Sequence, residues 1–393
     1  MTDVTANIKF QKKTLFALLT AMAAILLLAV SFSGCLGDPN NNGSGKETIT
    51  ITDAFGRTVT VPENPERIAV SGSGSMRYFV YLNVTDRVVA VDYQDNSSNI
   101  IAGDKRPYAL AHPEIKDQPM LGTTKGAVDA ERLLESKPDI LFVSATSAAE
   151  VAAADLIQSK TGIPVVLFFS GNYASDKEEI DQTLRMLGKI LGKEPRAEEI
   201  IQYFEDTLTD LENRVKDIPA SEKTVYVGGV AYNGPHGLNG TNPIYLPFVA
   251  LKADNVAAGV PLTGSSTGYA LVSKEKILEW DPDIVFIDVE TIAAAGGGAF
   301  SELKNDASYK ELAAVKSGEI YAVNPYTSMG VNHETALANC YYIGKILYPE
   351  QFKDIDPAQK ADEIYTFVVG KPAFEQIKEN ANGLSYTKPD LSK

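Results

Sequence analysis

The sequence predicts an α/β protein of two doubly wound lobes joined by a single long helix. Three observations carry that expectation: one long amphipathic segment near the middle of the chain, a short pattern that occurs once on each side of it, and short apolar runs alternating with helical periodicity throughout.

The long segment is Pro195 to Ile218. Ile201, Phe204, Leu208, Leu211 and Val215 recur at spacings of three and four, the period of one apolar helix face. Pro195 suits the first turn, Glu198, Glu199 and Glu205 favour the N-terminal half of the helix dipole, and Pro219 ends it. The flanking pattern is AVDAERLLESKPDILFV before the helix and LVSKEKILEWDPDIVFI after it. In each copy a Glu, Glu131 or Glu275, stands seven residues before a Pro-Asp-Ile that enters an apolar run. Each reads as a short helix, a Pro-Asp turn and a buried parallel strand, and two copies around one helix read as a duplicated lobe.

Taken in order, Ile49–Thr52 and Thr58–Val61 form a hairpin and Arg67–Val70 a buried strand. The Ser71–Ser75 turn then leads into a helix at 76–82, where a Gly-rich strand-to-helix turn can offer backbone N–H groups to a ligand anion. Strands follow at 88–91, 140–143 and 163–169, with helices at 148–160 and 179–191. Beyond the long helix come strands at 224–227, 284–287 and 320–323 and helices at 246–251, 332–347 and 357–369. Gly264–Tyr269 reads as a loop, Gly296–Gly298 as a flexible turn, and the tail from Asn380 as loosely ordered. The expected division is 1–34 signal or membrane segment, 35–47 flexible linker, 48–194 first lobe, 195–218 helix and 219–393 second lobe.

Composition narrows the function. A chain of 393 residues with 44% hydrophobic and 22% charged residues has room for two sizeable cores. Net charge is −15 with no basic run, which sets nucleic acid aside as a partner. Lys9, Lys12 and Lys13 precede an apolar stretch and then SFSGCLG, the pattern of a secretory signal with lipid attached at Cys35; an uncleaved anchor over Thr14–Phe32 is the alternative. Loss of Met1–Gly34 removes three lysines and one aspartate and leaves −17. Either anchor puts the folded part on the extracytoplasmic face of the membrane.

Three His and two Cys, with no HxH, HExxH or CxxC spacing, offer no dedicated metal site. An extracellular enzyme on the same scaffold is the rival class, but there is no GxSxG elbow and no convincing pair of carboxylates, and Cys340 reads as a helix packing residue. A passive surface module leaves the duplication unexplained.

The opening TITDAFGRTVTVPENPERIAV, the two Glu-bearing segments, the single long helix and the lipoprotein-like start resemble the substrate-binding proteins of ABC importers for ferric siderophores, haem and cobalamin. The resemblance covers roughly Glu47 to Gly370 and implies a class III periplasmic-binding-protein-like fold. It implies a monomer with no catalytic residues and no intrinsic cofactor, holding one ligand between the lobes and docking on a permease and its ATPase. By position, Glu131 and Glu275 are the docking acids. Residues at the strand ends supply the ligand-binding candidates Arg77, Tyr78, Tyr93, Tyr173, Tyr232, His236, Tyr326 and His333. The expected ligand is an iron(III)-siderophore-type chelate, with cobalamin or another corrinoid, or haem, as alternatives.

Overall fold

Two parallel sheets, each with a helix crossing between its strands, form the frame of the computed structural model. It describes residues 47–391 apart from 97–102, 148, 220–222 and 264–266. The signal segment, Cys35 and most of the linker lie outside the described residues.

A hairpin of β1 (Thr48–Thr52) and β2 (Thr58–Pro62) precedes β3 (Ile68–Ser71). Helix α1 (Met76–Tyr81), β4 (Val88–Ala90), α2 (Pro107–Ala111), α3 (Ala130–Ser136), β5 (Ile140–Ala145), α4 (Ala149–Thr161), β6 (Val165–Phe169) and α5 (Lys177–Leu191) complete the first half. The long helix α6 (Glu194–Val215) has 22 residues, about 33 Å at 1.5 Å each. The second half contains β7 (Thr224–Gly228), β8 (Gly240–Thr241), α7 (Leu246–Ala250), β9 (Asp254–Asn255), β10 (Ala270–Leu271), α8 (Lys274–Trp280) and β11 (Ile284–Asp288). It continues through α9 (Gly298–Asn305), α10 (Ala313–Ser317), β12 (Ile320–Val323), α11 (His333–Leu347), α12 (Pro357–Val369) and α13 (Phe374–Asn380).

The sheet orders are β4-β3-β5-β6 and β9-β7-β11-β12, and all pairings within them are parallel. Counted from each half's first strand, both orders are 2-1-3-4. The two copies of the repeated pattern therefore occupy the same place in the same topology. Each short helix ends in a left-handed residue, Lys137 (φ 48°) or Asp281 (φ 43°), because the following proline disfavours a further helical residue. The next aspartate turns back onto the neighbouring strand. Asp139 Oδ2 accepts from Glu66 N and Arg67 N at 3.1 Å, and Asp283 Oδ2 accepts from Thr224 N at 2.8 Å and Thr224 Oγ1 at 2.9 Å. These carboxylates start β3 and β7 opposite β5 and β11.

Helix α6 reaches both halves. Phe204 is buried, with its ring 6.3 Å from Tyr81, 5.4 Å from Tyr173 and 6.2 Å from His333. A second tie comes from α12: Phe367 stacks on Tyr203 of α6 at 4.0 Å, and Val369 O accepts from His112 Nε2 of the first half at 3.0 Å.

The tail is a correction. Beyond Asn380 it does not lie loose: Tyr386 N donates to Ala322 O at 3.1 Å and Ala322 N to Thr387 O at 2.9 Å, so the segment runs along β12. Tyr386 stacks on Tyr342 at 4.3 Å and 9° and donates from its hydroxyl to Asn339 Oδ1 at 3.0 Å. One aromatic ring and an open strand edge order a segment whose own sequence has no periodicity.

Asp139→Ala and Asp283→Ala each remove two hydrogen bonds at a strand start. Each should lower the unfolding free energy by about 1–3 kcal/mol in chemical denaturation; stability unchanged in both variants would deny these carboxylates their role.

Candidate ligand-binding cleft

In a 2-1-3-4 sheet the crevice opens where the strand order reverses, at the carboxyl ends of β3 and β5 and of β7 and β11. Glycines mark both places. Gly72 (φ +99°) follows β3, and a Cβ there would lie 2.4 Å from Ser144 Oγ; Gly229 (φ +76°) follows β7, and its Cβ would lie 2.9 Å from Thr291 Cβ. The left-handed backbone and the close approach both require glycine.

At the first of these ends two N–H groups of the Ser71–Ser75 turn, those of Gly72 and Ser75, are already met within the chain, which narrows what the turn can offer a ligand. Asp92 Oδ2 accepts from Gly72 N at 3.0 Å, Gly126 N at 2.9 Å and Ser71 Oγ at 3.2 Å. Ser75 N is turned to Gly72 O at 3.2 Å. The chain supplies its own anion here.

Between the sheets lies a seam of polar contacts. Arg77, on α1 and 1% exposed, donates from Nη2 to Met329 O at 2.8 Å and to Asn332 Oδ1 at 3.1 Å. Its Nε has no hydrogen-bond partner among the described residues. Tyr78 OH meets His333 Nε2 at 3.2 Å, Tyr81 OH donates to Glu334, and Asn172 Nδ2 donates to Thr267 O at 3.1 Å. Two further cations reach the seam from the segment before α2. Lys105 pairs with Glu290 at 3.3 Å, while Arg106 pairs with Asp95 at 2.8 Å and Asp104 at 2.7 Å and approaches Met329 Sδ at 3.1 Å. Both are buried. Sequence reasoning missed them, although a Lys-Arg pair inside a Pro-rich segment of an acidic chain is a visible signal.

Burial governs the titration of these groups. It pushes the Tyr78 phenol up, and it holds His333 down at about 3, with the Arg77 charge adding to the effect. Burial also raises Asp95 and Glu334 against the pull of Arg106 and of Arg77. For Asp104 burial works upward but Arg106 outweighs it, and the carboxyl lies below its usual range.

Of the predicted residues, Arg77, Tyr78, Tyr173 and His333 come together. Tyr173 is buried, donates to Asp181 Oδ1 at 3.1 Å and stands edge-on to His333 at 6.0 Å. Tyr232 and His236 form a second group, both half-buried: Tyr232 stacks on Tyr269 at 4.9 Å, and His236 Nε2 donates to Tyr232 O at 2.7 Å. Tyr326 is buried and joins the seam through its partners: its carbonyl accepts from Asn332 N at 2.6 Å, its hydroxyl is bonded to Asn242, whose Nδ2 also donates to Thr267 O at 3.2 Å, and its ring is tilted against Tyr245 at 5.2 Å. Tyr93 is half-buried in a single turn of 3-10 helix. Cys340 is fully buried on α11. Among the described residues no group of three or more His, Cys, Asp or Glu side chains could hold a metal ion, and no helix is long and apolar enough to cross a membrane.

Glu131 and Glu275 are exposed and occupy the same position, the second residue of α3 and of α8. Their helices start from equivalent caps, Asp129 and Ser273.

The chain belongs to the periplasmic binding protein family, whose model matches residues 68–327. It is 25% identical over 345 residues to the ABC transporter substrate-binding lipoprotein YvrC of Bacillus subtilis, covering 84% of this chain and 98% of that protein. It is 27% identical over 316 residues to the Fe(3+)-citrate-binding protein YfmC of the same organism, covering 77% and 88%. Among solved structures, the molybdate-bound MolA of Haemophilus influenzae superposes with a TM-score of 0.62 at 21% identity, over 82% of this chain and 98% of that one. The chain is accordingly a substrate-binding protein of the ABC-importer kind and not an enzyme.

His333 yields a pH prediction. A histidine held at about 3 when folded and near 6.5 when unfolded binds more protons in the unfolded chain between those values, so its contribution to stability is full above pH 6.5 and falls as the pH drops. The stability gap between the wild type and His333→Gln should shrink by about 2 kcal/mol from pH 7 to pH 5. A gap that does not change with pH, measured by denaturant titration, would mean that His333 is not held neutral.

Proposed function

We propose that this periplasmic binding protein captures an anionic ferric chelate, of the siderophore or citrate kind, between its two sheets and delivers it to the permease and ATPase of an importer. The observation that carries the reading is the pair of buried cations Arg77 and Lys105, brought to the seam by the first half of a chain whose net charge is −15. Buried cations in an acidic protein are retained where an anion has to be met. The likeness to a ferric-citrate-binding protein supports the same chemistry.

A second reading, a small oxyanion such as molybdate, is favoured by the direct bonds that cross the seam, Arg77 to Asn332 and Asn172 to Thr267. They suit a ligand of few atoms. Haem and corrinoid gain less support, since His236 Nε2 is engaged by Tyr232 O and His333 Nε2 by Tyr78.

Native mass spectrometry of the protein with ferric citrate, a ferric hydroxamate siderophore, molybdate, cyanocobalamin and haem should give a one-to-one complex of a monomer with a ferric chelate. Arg77→Met should weaken ferric citrate binding about tenfold or more. A complex with cyanocobalamin or haem alone would sink the chelate reading, and a complex with molybdate alone would establish the second.

The equivalent, exposed Glu131 and Glu275 are proposed to dock on basic residues of the two halves of the permease, and Cys35 to carry the lipid. In cells, Glu131→Arg with Glu275→Arg should leave ligand binding intact and abolish uptake, and Cys35→Ser should release the protein from the membrane fraction. Uptake at the wild-type rate would remove the docking role; continued membrane attachment would point to the apolar stretch Thr14–Phe32 as the anchor.

A further inference from the structure

The two crevice ends are closed in different ways. At the end of β3 the occupant is Asp92, a residue of the same half, whose carboxylate takes several donors at 2.9–3.2 Å. At the end of β11 the occupant comes from the opposite half. Glu290, two residues beyond Asp288 at the strand end, holds Lys105 across the seam by one contact of 3.3 Å. Both side chains are buried, at 3% exposure for Lys105 and 10% for Glu290.

The contrast with the adjacent Arg106 is informative. Arg106 is saturated by Asp95, Asp104 and the Tyr108 hydroxyl at 2.7–2.8 Å and belongs to the frame. An ammonium has three donors, and among the described residues Lys105 places one of them, at a longer distance. Lys105 is next in the chain to Arg106, and Arg106 and Arg77 lie over one Tyr108 ring at 5.3 Å and 5.4 Å. A buried ion pair gains Coulomb energy but loses hydration on both sides, so exchange of one anion for a better-placed one costs little. Removal of an anion with no replacement costs much more.

We propose that Lys105 is the second cation for the ligand, beside Arg77, and that Glu290 is a built-in competitor that holds Lys105 until an anionic ligand displaces it. This rests on the chelate reading above. In the empty protein the pair draws the halves together without leaving a bare charge. When a carboxylate or oxo group of the ligand takes the ammonium, Glu290 is released, and ligands without negative charge cannot make the exchange. The site thereby selects for anions through a contact that the ligand must break.

The test compares Lys105→Met, Glu290→Gln and the exchanged pair Lys105→Glu with Glu290→Lys in the full chain, titrated with ferric citrate and with molybdate. Glu290→Gln should bind ferric citrate about fivefold more tightly than the wild type, since the competing anion is gone, and Lys105→Met should bind about tenfold more weakly. Weakening of similar size in both would overturn the proposal, because Glu290 would then be a ligand contact; unchanged affinity in both would overturn it too. Hydrogen exchange of segments 103–108 and 288–293 in the ligand-free protein reads the pair separately. Exchange should quicken in Lys105→Met and return to the wild-type rate in the exchanged pair, and an unchanged rate in Lys105→Met would remove the latch. If the wild type binds neither anion, the ligand role of Lys105 falls, the chelate reading is decided by the siderophore measurement above, and the exchange rates still decide whether the pair holds the halves together.

Discussion

A buried charge has to be met where it lies, and the guanidinium of Arg77 is met from the other half of the molecule. It leaves α1 of the first half and ends on Met329 O and Asn332 Oδ1, just before α11 of the second. Tyr78 and Tyr81, its neighbours on α1, reach His333 and Glu334 at the start of that same helix. One turn of α1 and one turn of α11 are thus registered against each other by polar contacts that tolerate little displacement. Phe204 of the long helix packs against both turns, so the covalent link and the polar link meet at one place.

Duplication explains how two crevice ends came to face that seam. In each half an αL residue, a proline and an aspartate carry the chain from a short helix into the central strand, and the aspartate starts the neighbouring strand. In each half a glycine beyond the first strand lets the chain pass close to the end of the central one, at Ser144, or to the turn after it, at Thr291. The halves diverge in what they put into these equal frames. The first fills its turn with Asp92; the second carries Glu290 toward a lysine that is not its own.

Much of this was legible in the residues. The strands and the long helix follow from apolar periodicity, and the equal placement of Glu131 and Glu275 follows from the repeated Pro-Asp-Ile. Less legible were contacts made by residues with no pattern around them. Tyr386 is ordered by Tyr342 and the edge of β12, which a local reading of the tail does not contain. Lys105 and Arg106 stood in an irregular segment and acquired meaning only beside Glu290, Asp95 and Asp104. The turn at Ser71–Ser75 has the right glycines for an anion, but Asp92, about twenty residues later in the chain, takes its Gly72 N–H.

The sequence by itself determined the fold class and the duplication, because periodicity, turn chemistry and the spacing of a repeated motif are local properties that survive without knowledge of neighbours, and its motifs resembled the family to which the chain belongs. Tertiary structure alone decided which side chains share the seam. It assigned Asp92 to an internal role and paired Lys105 with Glu290. The physical reason is that the free energy of a buried polar group depends on the atoms that meet it, and those atoms come from segments far away along the chain.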